Sequence, residues 1–244
     1  MPSVFLSPSV QEFNPYVIGG NEELYMNRIA DAMEPYLVSN GIRFNRNHPD
    51  QSLPQVIQQS NSGQYDLHLA LHSNAAPESL SGTLRGTDIY YYAGSAASKR
   101  AADIIAGNWK RIYPDPSKVH VIANSTLAEL TRTKAPAVLI ETAYHDNVQD
   151  AQWIADNIQE IARNLVQSLT QYFGIPFVEA QTPRQATVTT AGGNLRIRAR
   201  PNTTSTVLGS APNGAPITVL GQWNNWYVVD YNGLIGYASA AFIR

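Results

Sequence analysis

The chain has 244 residues, a formal net charge of −2, no cysteine and five histidines. That length allows one large domain or two ordinary ones, with a core that needs no covalent staples. The lack of cysteine excludes disulfides, thiolate metal centres, iron–sulfur clusters and cysteine nucleophiles, leaving His, Asp, Glu, amide or backbone oxygen and water to hold any metal. The near-balanced charge gives no reason to expect nucleic acid, and no apolar run reaches membrane-spanning length.

In chain order, Val4–Ser7 is a short apolar run that predicts a buried strand. The N-terminal segment that contains it, MPSVFLSPS, lacks the basic and long apolar regions of a secretory signal, so no signal peptide is expected. A polar loop then leads to a helix from about Glu22, with Met26, Ala30, Met33 and Leu37 on one face. Asn21 is placed to cap that helix and Asn40-Gly41 to stop it. Ile42–Arg46 predicts a second strand and Leu53–Ser60 a helix. Asp66–His72 (DLHLALH) and Gly86–Ala93 (GTDIYYYA) predict two further strands, then Ser98–Ile112 a helix. Ala135–Glu141 (APAVLIE) is a very apolar strand. One helix is expected from about Val148 to Tyr172, capped by Asn147 with Asp150 in its first turn. Alternating strands and helices define an α/β domain: a central, mostly parallel sheet flanked by helices.

The pattern changes near residue 176. Before it, 12 Lys and Arg face 17 Asp and Glu; after it, five Arg face two acids, which gives −5 and +3. Residues 177–186 (FVEAQTPRQA) read as a linker. Beyond them the runs LRIRA, ITVL, WYVVDY and IGYA, separated by Gly, Pro and Asn turns, predict a small all-β barrel. The division is therefore 1–176, a linker at 177–186, and 187–244.

Sites in open α/β sheets form at the carboxyl ends of strands. The Asp66–His72 strand ends in His72, followed by Ser73-Asn74-Ala75. The Ala135–Glu141 strand ends in Glu141, with His145 four residues on, and the first strand leads through its loop to Glu22. Each residue alone has an ordinary structural reading: a loop-capping carboxylate, a hydrogen-bonded histidine, a first-turn helix acid. Together they can converge on one end of the sheet. Glu23 is the alternative to Glu22.

The residues LHLALHSNA, APAVLIETAYHDN and GGNEELYMNRIADAM resemble the zinc-dependent N-acetylmuramoyl-L-alanine amidase family (amidase type 3) over residues 2–175. The resemblance implies cleavage of the amide between N-acetylmuramic acid and the first L-alanine of the peptidoglycan stem. It implies Zn2+ as cofactor, Glu22 and His72 as zinc ligands and Glu141 as the catalytic carboxylate. The family's first strand normally ends in an Asp-Pro-Gly-His-Gly turn whose His is the third ligand. Here the turn reads Ser7-Pro8-Ser9-Val10-Gln11, and no histidine precedes His48. Three explanations compete. His145 completes the site; or Gln11 coordinates through its amide or holds a metal-bound water; or the metal is lost and the domain only binds sugar. Gln11, Asn74 and Arg132 (with Lys134) are candidate substrate contacts. His68 shares a strand face with His72 but lies about 13 Å back along it, too far for one ion. It is read as a core or supporting histidine, and His48 and His120 as structural or surface residues. The tyrosines at 90–92 read as sheet packing rather than sugar stacking.

Residues 187–244, with Leu195-Arg196-Ile197-Arg198, Gly214-Ala215-Pro216-Ile217-Thr218-Val219, Trp226-Tyr227-Val228-Val229 and Gly236-Tyr237, resemble the bacterial SH3 family. Tyr237 stands where that family has Trp. The resemblance implies binding of cell-wall peptide. The expectation is a monomeric peptidoglycan hydrolase acting on the wall, outside the cell or released by lysis. A non-catalytic peptidoglycan-binding protein and a zinc peptidase cutting within the stem are the alternatives.

Overall fold

A computed structural model describes all 244 residues. By internal contacts the chain divides into two units. One comprises Ser3–Met33 and Phe44–Tyr172; the other comprises Met1–Pro2, Glu34–Arg43 and Phe173–Arg244.

The first unit is built on a six-stranded sheet of β1 (Ser3–Pro8), β2 (Arg43–Arg46), β3 (Leu67–Asn74), β4 (Thr87–Tyr92), β5 (Val119–Asn124) and β6 (Ala137–Tyr144). The order is β2-β1-β3-β6-β4-β5. The pairs β1–β3, β3–β6 and β4–β5 are parallel, and β4 runs antiparallel to β6. The helices are α1 (Glu22–Ser39), α2 (Leu53–Ser62), α3 (Ala96–Trp109), α4 (Ala128–Thr131), α5 (Val148–Asp156) and α6 (Ile158–Phe173). The central strands are covered on both faces, so Val4, Phe5 and Leu6 of β1 and Val138 and Ile140 of β6 are fully buried. None of the helices is long and apolar enough to cross a membrane.

Local signals account for most of these boundaries. Asn21 Oδ1 accepts from Leu24 N at 2.8 Å and caps α1. Gly41, at φ 64°, ends the turn after it in the left-handed region. Asn147 Oδ1 accepts from Gln149 N and Asp150 N and caps α5. Three features differ from the expectation. The helix expected over 148–172 is two helices, broken at Asn157, which sits at φ −115° and ψ 19°. β5 forms from Val-His-Val-Ile-Ala-Asn, a run too short and too punctuated for a periodicity signal. α4 is a single helical turn, visible only because it carries Leu130 and Glu129 inward.

The second unit contains an antiparallel sheet of β7 (Arg184–Thr187), β8 (Leu195–Arg198), β9 (Val207–Ala211), β10 (Pro216–Trp223), β11 (Trp226–Tyr231) and β12 (Leu234–Ser239), in the order β7-β10-β11-β12-β8-β9. Its core gathers Val188, Ile197, Ile217, Val219, Val229 and Ile243. Gly236 is required by close packing, since a Cβ there would sit 2.5 Å from Ile197 Cγ2. Tyr237 is fully buried, filling with a phenol the position where the resemblance expects an indole. The 177–186 segment is not bare linker. Asn40 brackets Val178, accepting from its N at 2.7 Å and donating to its O at 2.8 Å, and β7 begins at Arg184.

Candidate active site

Strand register builds the floor of the site. His72 on β3 is the Cα partner of Glu141 on β6, Glu141 of Asp88 on β4, and Asp88 of His120 on β5. Directly opposed residues share a sheet face, so these four side chains form one row at the carboxyl end of β3 and β6. The capped start of α1 supplies Glu22, 1% exposed. The turn after β1 supplies Ser9 and Gln11. Glu22, His72 and Glu141, three residues singled out in the sequence, thus meet at one place.

His72 is the centre of the arrangement. Its side chain is 12% exposed and both ring nitrogens are engaged. Nδ1 lies 2.8 Å from Glu22 Oε1 and 3.3 Å from Gln11 Nε2. Nε2 lies 3.0 Å from Glu129 Oε2. Asn14 Nδ2 donates both to Glu22 Oε2 at 2.6 Å and to Gln11 Oε1 at 3.1 Å, drawing the two oxygens together. Burial opposes charging the imidazole, but the hydrogen bonds to Glu129 and Glu22 outweigh it and raise His72 well above its usual range. Burial likewise opposes charge on Glu22, and the contact with His72 outweighs it, so that carboxyl titrates below its ordinary value.

Glu141 behaves oppositely. Burial, with Glu22, Asp88 and Glu129 adding repulsion against the attraction of His72, pushes its pKa up to about 7. Its Oε2 is buried and accepts no hydrogen bond. A buried carboxylate oxygen without a partner is costly unless chemistry uses it. Beside it opens a mostly apolar cleft of about 440 Å³, bounded by Val10, Phe13, Leu53, Val56, Leu127 and Leu139.

Other residues singled out in the sequence fall elsewhere. His145 is not brought to the His72–Glu22 pair: its ring stacks on Tyr16 at 5.3 Å and its Nδ1 sits 3.0 Å from both Ser73 Oγ and Ser73 O. The parallel run of β3 and β6 carries it past the row and into the core, where it is 4% exposed. No three His, Asp or Glu side chains are arranged so as to hold a metal ion by themselves. The third group at Nδ1 of His72 is instead the amide of Gln11. Asn74 donates to Asp88 Oδ2 at 3.3 Å, beside the row. Arg132 does not line the cleft; its carbonyl accepts from Asn61 at 2.7 Å, and it precedes β6 at the end of that strand away from Glu141. Lys134 donates to Asn61 O at that same end. His120 is more than half exposed and reaches Asp88 Oδ1 at 3.2 Å.

Glu129 is the member that the sequence reading missed. It is 4% exposed, at the inner side of α4. Its Oε1 accepts from Ser7 Oγ and lies 3.1 Å from His68 Nε2, while Oε2 meets His72. Burial opposes its charge, yet these two imidazoles hold the carboxyl far below its usual range. His68 and His72 are too far apart along β3 to share an ion, but they share this carboxylate. The one available signal was an acid inside the apolar setting of Leu127 and Leu130.

An α/β sheet with a buried acid–imidazole cluster at its carboxyl edge defines a hydrolase-like site. The profile of the N-acetylmuramoyl-L-alanine amidase family matches residues 15–171, and that of the bacterial SH3 domain matches residues 193–244. The chain belongs to the N-acetylmuramoyl-L-alanine amidase family, and carries a bacterial SH3 domain behind its amidase domain. Solved structures share the fold. N-acetylmuramoyl-L-alanine amidase AmiC2 of Nostoc punctiforme aligns at TM-score 0.63 and 14% identity, over 71% of this chain and 97% of its own. The catalytic domain of CwlV from Bacillus (Paenibacillus) polymyxa var. colistinus aligns at 0.63 and 18%, over 72% and 100%. The Clostridium difficile 630 amidase aligns at 0.64 and 18%, over 71% and 97%. Among curated proteins none matches.

Proposed function

We propose that this chain hydrolyses the amide between N-acetylmuramic acid and L-alanine in peptidoglycan, with zinc as cofactor and Glu141 as the proton-transfer residue. The observation that carries the reading is the buried, unpartnered Oε2 of Glu141, in register beside His72. The donor set suits a divalent cation. Glu22, Glu129 and Glu141 place three carboxylates around one imidazole, a surplus of buried negative charge that a cation offsets. Nδ1 of His72, Glu22 and the amide oxygen of Gln11 would hold it, with nitrogen and oxygen in place of the sulfur that this chain lacks. When bound, zinc supplies a Lewis acid that polarises the scissile carbonyl and lowers the pKa of water.

The protein's own residues do the rest. Glu141 takes the proton of the attacking water and delivers it to the departing alanine nitrogen. A carboxyl poised near 7 is suited to both transfers. Asn14 keeps Gln11 and Glu22 aligned. The apolar cleft seats the substrate away from bulk water, where the row's charges act at low dielectric. The SH3 domain holds the enzyme on the insoluble wall and raises its effective concentration there.

Mass analysis of purified peptidoglycan after digestion tests this. The expected products are free lactyl groups and intact stems beginning at L-alanine, abolished by chelator and restored by zinc. Shortened stems would establish a peptidase instead, and the absence of products a binding protein. E141Q is expected to fold, keep zinc and lose cleavage by at least about 100-fold. Full activity in E141Q would overturn the assignment.

A further inference from the structure

Glu129 enters the reading above only as one of three buried negative charges, yet at 4% exposure it is held by more of the surrounding fold than that part requires. Three groups converge on its two oxygens. Ser7 Oγ, from β1, donates to Oε1; His68 Nε2, from β3, stands 3.1 Å from the same atom; His72 Nε2 stands 3.0 Å from Oε2. The chain of contacts continues outward from His68, whose Nδ1 meets Ser60 Oγ of α2 at 2.9 Å and whose ring stacks on Phe5 at 5.4 Å. Glu129 is thus clamped by two strands and, through His68, by a helix. A side chain fixed in this way has little freedom left to follow a substrate.

An ionised carboxylate only accepts hydrogen bonds. Facing Glu129 Oε2, His72 Nε2 must therefore carry a proton, and that bond turns Nδ1 towards Glu22 and Gln11, where the metal-free ring carries a second proton facing the Glu22 carboxylate. A histidine that ligates or polarises through one nitrogen needs its other nitrogen held in this fashion, because that hydrogen bond sets both tautomer and ring orientation. We propose that Glu129 is a positioning residue: held by Ser7 and His68, it fixes His72 so that Nδ1 points into the reaction site. Glu129 lines the cleft, but both its oxygens are taken up by Ser7, His68 and His72, so it acts through His72. The proposal rests on the reading of the site as an amidase centre, and extends it to a buried relay of Ser60, His68, Glu129 and His72.

Two substitutions test it, E129A and E129Q, each measured three ways. A crystal structure of the metal-free E129A chain is expected to show the His72 ring displaced, with Nδ1 no longer within hydrogen-bond distance of Glu22. Zinc affinity of the stripped chain, by chelator competition, is expected to fall about 10- to 100-fold in E129A. In steady-state assays kcat is expected to fall while KM stays near that of the wild type. E129Q keeps the shape and one acceptor oxygen, and is expected to fold, hold the ring in place and lie between wild type and E129A in both zinc affinity and kcat. A purely structural role predicts a lowered Tm with zinc affinity and kcat unchanged in the folded fraction. Zinc affinity and kcat within twofold of wild type in either folded variant would overturn the proposal, as would an unmoved His72 ring in E129A. If E129A does not fold, E129Q alone decides by the same twofold criterion. Should the wild-type chain fail to cleave peptidoglycan, the amidase reading falls, while ring position and zinc affinity still judge Glu129.

Discussion

Glu141 sets function against stability. Its folded pKa of about 7 lies above the usual carboxyl value because burial and three neighbouring carboxylates disfavour its charge. A raised acid pKa means that the folded state binds the proton more tightly than the unfolded chain does. The group's favourable contribution is therefore present at low pH and is lost as pH rises from the ordinary carboxyl range through about 7. Above that pH the ionised side chain costs the metal-free fold about 3 kcal/mol. E141Q is therefore expected to raise the Tm of the metal-free chain at pH 8 and to leave it nearly unchanged at pH 4, as scanning calorimetry would show; an unaltered Tm at pH 8 would contradict the assigned environment. On the proposed mechanism the same carboxyl must be ionised to accept a proton, so kcat/KM is expected to rise with pH along an acid limb. D88N, which removes a repelling charge from the adjacent strand, should move that limb to lower pH. His72 carries the complementary expectation. With its pKa raised by Glu129 and Glu22, the metal-free ring holds a proton on Nδ1 that a metal must displace. Zinc binding is expected to release protons and to tighten with rising pH, which calorimetry in buffers of different ionisation enthalpy would detect.

Among the elements, α5 is the one whose anchoring is most concentrated. Asp150, fully buried in its first turn, accepts from Arg85 Nε at 2.9 Å, Gly86 N at 3.0 Å, Tyr113 Oη at 2.7 Å and Tyr144 N at 3.2 Å. This one carboxylate ties the helix to the start of β4 and the end of β6. D150A leaves those donors unsatisfied and is expected to cost about 3 kcal/mol, lowering Tm by several degrees. D150N, which keeps shape and one acceptor, should cost less. Asp150 was legible in the sequence only as a favourable first-turn acid; its long-range partners were not. The same division runs through the fold. Elements with strong local signals were readable: the capped start of α1, the apolar runs of β3 and β6, the stripe of α6. β5 and α4 were not, because each is short and owes its conformation to packing rather than to periodicity. The site followed suit. Glu22, His72 and Glu141 sit at the ends of recognisable elements, so topology alone brings them together. Glu129 sits on a four-residue turn with no pattern of its own, and the choice between His145 and Gln11 as neighbour to His72 depended on the path of the loop after β1. Sequence proximity to Glu141 favoured His145, whereas the register of β3 and β6 turns its ring onto Tyr16.

At the scale of the whole molecule, the proposed function divides labour between the two domains, chemistry in one and retention in the other. The amidase part carries the acid-rich site, and the residues after 176 carry five Arg against two acids. On the SH3 domain a cleft of about 420 Å³ is bounded by Thr190, Asn194, Arg196, Arg198, Trp226 and Phe242. Arg196 is exposed and Phe242 is 45% exposed, so both are free to meet a ligand without disturbing the core of Val188, Ile197, Ile217 and Val229. A cleft that joins aromatic walls to guanidinium groups suits a short peptide with carboxylate groups. Retention on an insoluble polymer adds no chemistry; it raises the local concentration of substrate bonds. The two contributions are therefore separable by experiment. R196E with F242A is expected to reduce co-sedimentation with purified wall and to slow lysis of intact wall. It should leave kcat and KM on a soluble muropeptide unchanged within twofold, because neither residue belongs to the proposed catalytic set. Unchanged sedimentation would remove this cleft from the retention role, and a parallel loss on the soluble substrate would mean that the SH3 domain shapes the active site itself.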